Sequence, residues 1–186
     1  IAEKEIVAVD SIADELMHYM VSEQGCYLAS KEEQDALTEV VLKGGKLNRK
    51  CVGRDAKTLL GMIGVQVPDN IRCITFEGPK EHPLIATELM MPILGVVRAK
   101  DFDDAVEQAV WLEHGNRHSA HIHSKNVDNI TKYAKAIDTA ILVKNGPSYS
   151  ALGFGGEGFC TFTIASRTGE GLTSASTFTK RRRCVM

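Results

Sequence analysis

The chain has 186 residues, 44% of them hydrophobic and 25% charged, with a formal net charge of -2. A chain of that length buries roughly 70% of the surface its unfolded form exposes, enough for one domain with its own core. The balanced charge gives no reason to expect nucleic acid, whose phosphates call for a concentrated excess of Lys and Arg, and no stretch approaches the roughly 18 consecutive apolar residues of a helical membrane span.

Residues 5–10 (E-I-V-A-V-D) are apolar and β-branched and predict a strand, and Ser11 with Asp14 three residues on predicts a capped helix start behind it. Ser30 and Glu33 repeat that signal before a helix over residues 31–42, and Asp55 precedes a short helix ending on Gly64. Between them residues 45–53 read as a loop. Strands follow at residues 71–77 and 92–98, each leading into helix-compatible sequence. Asp101 opens the clearest helix, in which Phe102, Val106, Ala109 and Val110 share a face and which Gly115 ends. A strand over residues 118–124, a helix over 127–137 and a strand over 140–145 complete the alternation. Strands alternating with helices of about ten residues predict an α/β fold, a mainly parallel open sheet with helices on both faces. After Asn145 a Gly-rich loop (L-G-F-G-G-E-G) leads to two Thr- and Ser-rich runs, residues 159–165 and 173–179, with T-G-E-G between them. These predict extended, hairpin-like strands that need a pairing partner.

The candidate chemistry is sparse. The glycines at 153, 155, 156 and 158 lack the following helix start that a phosphate cradle needs, so they read as a backbone turn. His121 and His123 share a strand face while His118 lies on the other, and no fourth ligand is spaced nearby, which disfavours a metal. A strand-end histidine such as His118 can nonetheless carry a proton in either direction. Glu88 stands before two thioethers in E-L-M-M-P, a pattern that taken alone reads as a helix end packing Met into a core. Five scattered cysteines, with no C-x-x-C pair, argue for reduced thiols in a cytosol-like compartment.

E-L-M-M-P (residues 88–92) also resembles the motif of a Glu, an aliphatic residue, an aromatic, Gly and Pro in the aldehyde dehydrogenase superfamily. The likeness continues in order through V-V-R-A-K-D-F-D-D-A-V, H-S-A-H-I-H-S-K-N and I-L-V-K-N-G-P, and so spans essentially the whole chain. The opening I-A-E-K-E and the ending from G-E-G-L-T-S-A-S-T-F-T to C-V-M are similar to the acetaldehyde and propionaldehyde dehydrogenases that make acyl-CoA, those of propanediol utilisation above all. This resemblance implies a catalytic α/β domain of the aldehyde dehydrogenase fold over residues 1–158 and a β-strand oligomerisation arm over 159–186 that pairs with another copy.

The resemblance further implies oxidation of a short aldehyde, propionaldehyde or acetaldehyde, to its acyl-CoA with reduction of NAD. In that chemistry a cysteine thiolate attacks the carbonyl, hydride passes to NAD, and the thioester acyl group passes to coenzyme A. The family's nucleophilic cysteine stands immediately before the segment that residues 1–5 resemble, and its NAD-binding domain lies upstream. The chain is therefore expected to be a carboxyl-terminal piece, inactive alone. Glu88 would hold the nicotinamide ribose, and Met90 would replace the aromatic residue packed near the nicotinamide, a departure from the superfamily pattern. His118 would serve CoA binding or proton transfer. The implied setting is the cytoplasm or a bacterial microcompartment. Two alternatives stay open: a non-enzymatic assembly module, and a hydrolytic dehydrogenase, which the ending and His118 disfavour.

Overall fold

In a computed structural model that describes residues 3–155, 159–161, 164–165 and 171–186, the apolar run near the amino end forms β1 (Glu5–Val9) and leads into α1 (Asp10–Ser22). There follow β2 (Cys26–Leu28), α2 (Lys31–Val41), the hairpin of β3 (Leu42–Lys43) and β4 (Lys46–Leu47), α3 (Ala56–Met62), β5 (Cys73–Glu77), α4 (Pro83–Ala86) and β6 (Ile93–Ala99). The helix α5 (Phe102–Leu112) comes next, then β7 (Ser119–Ile122), α6 (Val127–Ile137), β8 (Ile141–Lys144), and the short antiparallel pair β9 (Ile164–Ala165) and β10 (Gly171–Leu172). The chain divides into two units, residues 1–108 and 109–186.

The first unit is built on a four-stranded sheet of order β1-β6-β5-β2, every pairing parallel. Parallel strands covered on both faces read as continuous apolar runs rather than alternating ones, and Ile74, Thr75 and Phe76 of β5 are all fully buried. Thr75 satisfies its hydroxyl by donating to Leu94 O at 2.9 Å. On one face Ile6, Ala8, Leu94 and Val96 pack with Ala13, Leu16, Met17 and Met20 of α1. On the other, a Cβ at Gly95 would stand 2.3 Å from Ile85 Cγ1 and 3.3 Å from Phe76 Cζ, so only glycine lets α4 lie this close to the sheet. The second unit contains the parallel pair β7–β8 and α6, whose Tyr133 and Ile137 are buried.

The caps follow the sequence in part. Ser30 and Glu33 form the reciprocal capping box, and Asp55 accepts from Thr58 N–H at 2.6 Å. Ser11 and Asp14 do not make one: α1 begins at Asp10, with Val9 in the cap position and no side-chain cap. The Asp10 and Asp14 carboxylates are instead held by the Arg98 guanidinium at 2.9 and 2.6 Å, and Glu77 takes the same guanidinium at 2.9 and 2.8 Å. Residues 45–53 are not all loop, since Gly44 and Gly45 at φ 62 and 74° make the tight turn of the β3–β4 hairpin. Nor is the run 173–179 a strand. Ala175–Phe178 is a 3-10 turn whose Ser174 and Thr177 side chains bond the local backbone, the usual competition of short hydroxyl residues with a sheet ladder. In the Gly-rich loop Gly153 takes φ 83°, while residues 156–158 and most of T-G-E-G lie outside the described residues.

His82 gives this fold a pH dependence. It is buried with its ring 4.8 Å from that of Phe76, and its Nδ1 accepts from Leu84 N–H at 3.2 Å to cap α4. Burial, with a smaller push from Lys31, lowers its pKa below the ordinary value. The unfolded chain then binds a proton that the folded one refuses, so stability is full above about pH 6.5 and drains as the pH falls below it. Urea midpoints are expected to drop between neutral and mildly acid buffer. A His82→Gln variant with the same slope would place the effect elsewhere.

Candidate functional site

The segment that joins α4 to β6 is fixed at several points. Gly53 N–H donates to Met90 O at 3.1 Å, Ile74 N–H to Pro92 O at 2.9 Å and Ile93 N–H to Met91 O at 2.8 Å. Along it the residues alternate: Leu89 and Met91 are buried, while Glu88 and Met90 are exposed, Met90 by 48%. The reading of a helix end that packs Met into the core therefore holds for Met91 and not for Met90. Met90 also adopts φ 54°, a left-handed conformation that costs a non-glycine residue about 1–2 kcal/mol. Among the described residues the Glu88 carboxylate has no hydrogen-bond or ion-pair partner. An exposed carboxylate on a tethered backbone is a ready acceptor for hydroxyl donors.

His118 belongs to the second unit and stands exposed just before β7. Its Nδ1 lies 2.7 Å from Ser119 Oγ, which leaves Nε2 as the ring nitrogen open to solvent. Its backbone is clamped on both sides: its N–H donates to Glu113 Oε1 at 3.3 Å, and its carbonyl accepts from Ile141 N–H at 3.2 Å. Arg117 N–H donates to the same Glu113 oxygen, and its guanidinium meets Asp138 Oδ2 at 2.5 Å. Of the neighbouring histidines, half-buried His121 places Nε2 2.9 Å from Ser148 Oγ, and His123 falls beyond the end of β7, exposed.

Glu88 and Met90 thus lie on the exposed side of one segment of the first unit, while His118 belongs to the second. Sequence reading missed Gly53, whose N–H bonds Met90 O, and Glu113, whose carboxylate accepts from the His118 N–H. Neither carries a periodic signal, since their partners are set by tertiary approach. An open polar cleft of about 640 Å³ lies at the other end of the first sheet, at the carboxyl ends of β5 and β6, where Glu77, Lys80, Arg98 and Asp104 line it. Carboxyl ends are where open α/β sheets commonly bind ligands. Here the cation Arg98 is already taken by three carboxylates, so the cleft offers little to an anion.

The sequence matches the aldehyde dehydrogenase family over residues 56–177. It is 46% identical, over 99% of its length, to the acetylating acetaldehyde dehydrogenase of Salmonella typhimurium, and 43% identical, over 100%, to the CoA-propanoylating propanal dehydrogenase of the same organism. The chain spans 40% of the length of each of these relatives. Among solved structures, a propionaldehyde dehydrogenase from the Clostridium phytofermentans fucose utilisation bacterial microcompartment is 80% identical with a TM-score of 0.94, over 100% of this chain and 43% of that one. A Rhodopseudomonas palustris propionaldehyde dehydrogenase with bound CoA and an acylated cysteine is 50% identical with a TM-score of 0.92, over 99% of this chain and 42% of that one.

Proposed function

Because the chain belongs to the aldehyde dehydrogenase family, we propose that it works as the carboxyl-terminal part of an enzyme that oxidises propionaldehyde or acetaldehyde to the acyl-CoA while reducing NAD. The observation that carries this reading is the likeness to CoA-forming relatives at 43 and 46% identity along essentially the whole chain.

The residues present fit a dinucleotide. The hydroxyls of a ribose donate hydrogen bonds, and the exposed Glu88 carboxylate, with no partner among the described residues, can only accept them when ionised. Exposed Met90 offers a flexible, polarizable thioether against which a flat ring can rest. When bound, NAD supplies the hydride acceptor. His118 holds or releases a proton at Nε2, with Ser119 orienting the ring through Nδ1. The buried neighbours Leu89 and Met91 keep the Glu88 segment seated.

The test is NADH formation by the full protein with propionaldehyde, with and without CoA. Turnover that requires CoA is the expected result, and CoA-independent turnover would mean an enzyme that releases the free acid. Residues 159–186 are the part we assign to self-association. A full protein ending at residue 158 is expected to elute at a smaller size than the intact one, and an unchanged oligomer would remove the arm from the interface. Setting follows chemistry: cytoplasm, or the interior of a microcompartment like that of the Clostridium relative.

A further inference from the structure

Two of the five cysteines lie directly opposite one another, Cys26 on the edge strand β2 and Cys73 on β5. Main-chain bonds on either side, Arg72 N–H to Gly25 O and Ala29 N–H to Thr75 O, both 2.9 Å, fix that register. Both side chains turn to the face covered by α1, in the cluster with Met17, Met20 and Val96. Neighbouring strands stand about 4.8 Å apart, inside the Cα separation of about 4.4–6.8 Å that a disulfide tolerates. We propose that Cys26 and Cys73 are a redox couple, a modification site at which a hydroperoxide closes a reversible disulfide across the β2–β5 ladder.

The environment supports the order of events. The Cys73 thiol, hydrogen-bonding to Cys26, lowers the Cys26 thiol to about 7 against the desolvation that raises it, while the same contact and burial raise Cys73. The Cys26 thiolate attacks one peroxide oxygen, the O–O bond breaks, and the products are a Cys26 sulfenic acid and water. The Cys73 sulfur then attacks the Cys26 sulfur, the S–O bond breaks, and the leaving hydroxide takes the Cys73 proton as a second water. Two thiols are oxidised by two electrons and one hydrogen peroxide is reduced to two waters. Cys26 is buried but lies on the edge strand, and its partner Cys73, at the amino end of β5, is half-buried, which gives so small an oxidant its access. Cβ atoms paired across parallel strands stand further apart than a relaxed disulfide prefers, so the bond is strained and easily reduced. This couple rests on the strand register and not on the enzymatic reading.

The experiment treats the full native protein with hydrogen peroxide, blocks remaining thiols by alkylation, and digests it with trypsin without reduction. The expected product is the peptide of residues 5–31 joined to that of 73–80, at the sum of their masses less two hydrogens. The alkylated 73–80 peptide should be lost in parallel, and dithiothreitol should restore it. In Cys73→Ser the linked species should vanish, with a dimedone-trapped sulfenic acid left on Cys26. Recovery of alkylated Cys73 after peroxide, whether Cys26 is then reduced or overoxidised, overturns the couple, as does a disulfide formed only with exposed Cys160 or Cys184.

Discussion

An alanine at position 76 is expected to remove about 3–5 kcal/mol of stability, read as a lower denaturant midpoint with an unchanged slope. Phe76 is fully buried in the middle of β5, and its ring touches the layer that α4 lays on the sheet, His82 on one side and the Ile85–Gly95 approach on the other. The cavity has no neighbour able to fill it. The closest sheet position is a glycine, and Ile85 is already pressed against that glycine's backbone. Phe76→Leu keeps much of the apolar volume and should lose less than half as much. Equal losses in the two variants would mean that the aromatic contact with His82, rather than filled volume, holds the layer together.

His118→Ala is expected to lower CoA-dependent turnover of the full protein by roughly 10²–10⁴-fold, the usual contribution of a positioned proton carrier. Its unfolding midpoint should stay near that of the parent, because the side chain is exposed and its anchoring bonds are made by the backbone. The loss should be accompanied by disappearance of one ionisation from the pH–rate profile. Undiminished turnover, or a loss with the profile intact, would leave His118 without a part in the reaction.

The sequence made the framework legible where burial and capping leave a local trace. The runs at β5 and β6 are continuous and apolar because both of their faces are covered, and the Ser30–Glu33 spacing is itself the capping geometry. Cys26–Leu28 escaped because three residues cannot display a period, and its membership of the sheet is decided by its pairing with Cys73–Thr75. Ser11 and Asp14 misled because a carboxylate near a helix start serves equally well as a ligand for a distant guanidinium, and Arg98 lies 84 residues away from Asp14. The Thr- and Ser-rich run at 173–179 alternates like a strand, yet its hydroxyls satisfy the backbone locally. At the site, the family motif pointed to Glu88 and Met90, but that Met90 is exposed and left-handed while Met91 is buried follows from main-chain bonds to Gly53 and from within the segment. No pattern in the residues themselves distinguishes the two thioethers.

The arrangement around Arg98 divides the labour along one strand. At its carboxyl end β6 is moored, through a single guanidinium, to the start of α1 and the end of β5. At its amino end it carries the segment with Glu88 and Met90. Foundation and workbench are thus separated by the length of seven residues, roughly 23 Å at the rise of an extended chain. Evolution or an engineer can rework residues 88–91, where we place the ring and ribose contacts, without loosening the mooring, while a change at Arg98 would disturb the seat of the whole strand and leave that segment's side chains untouched.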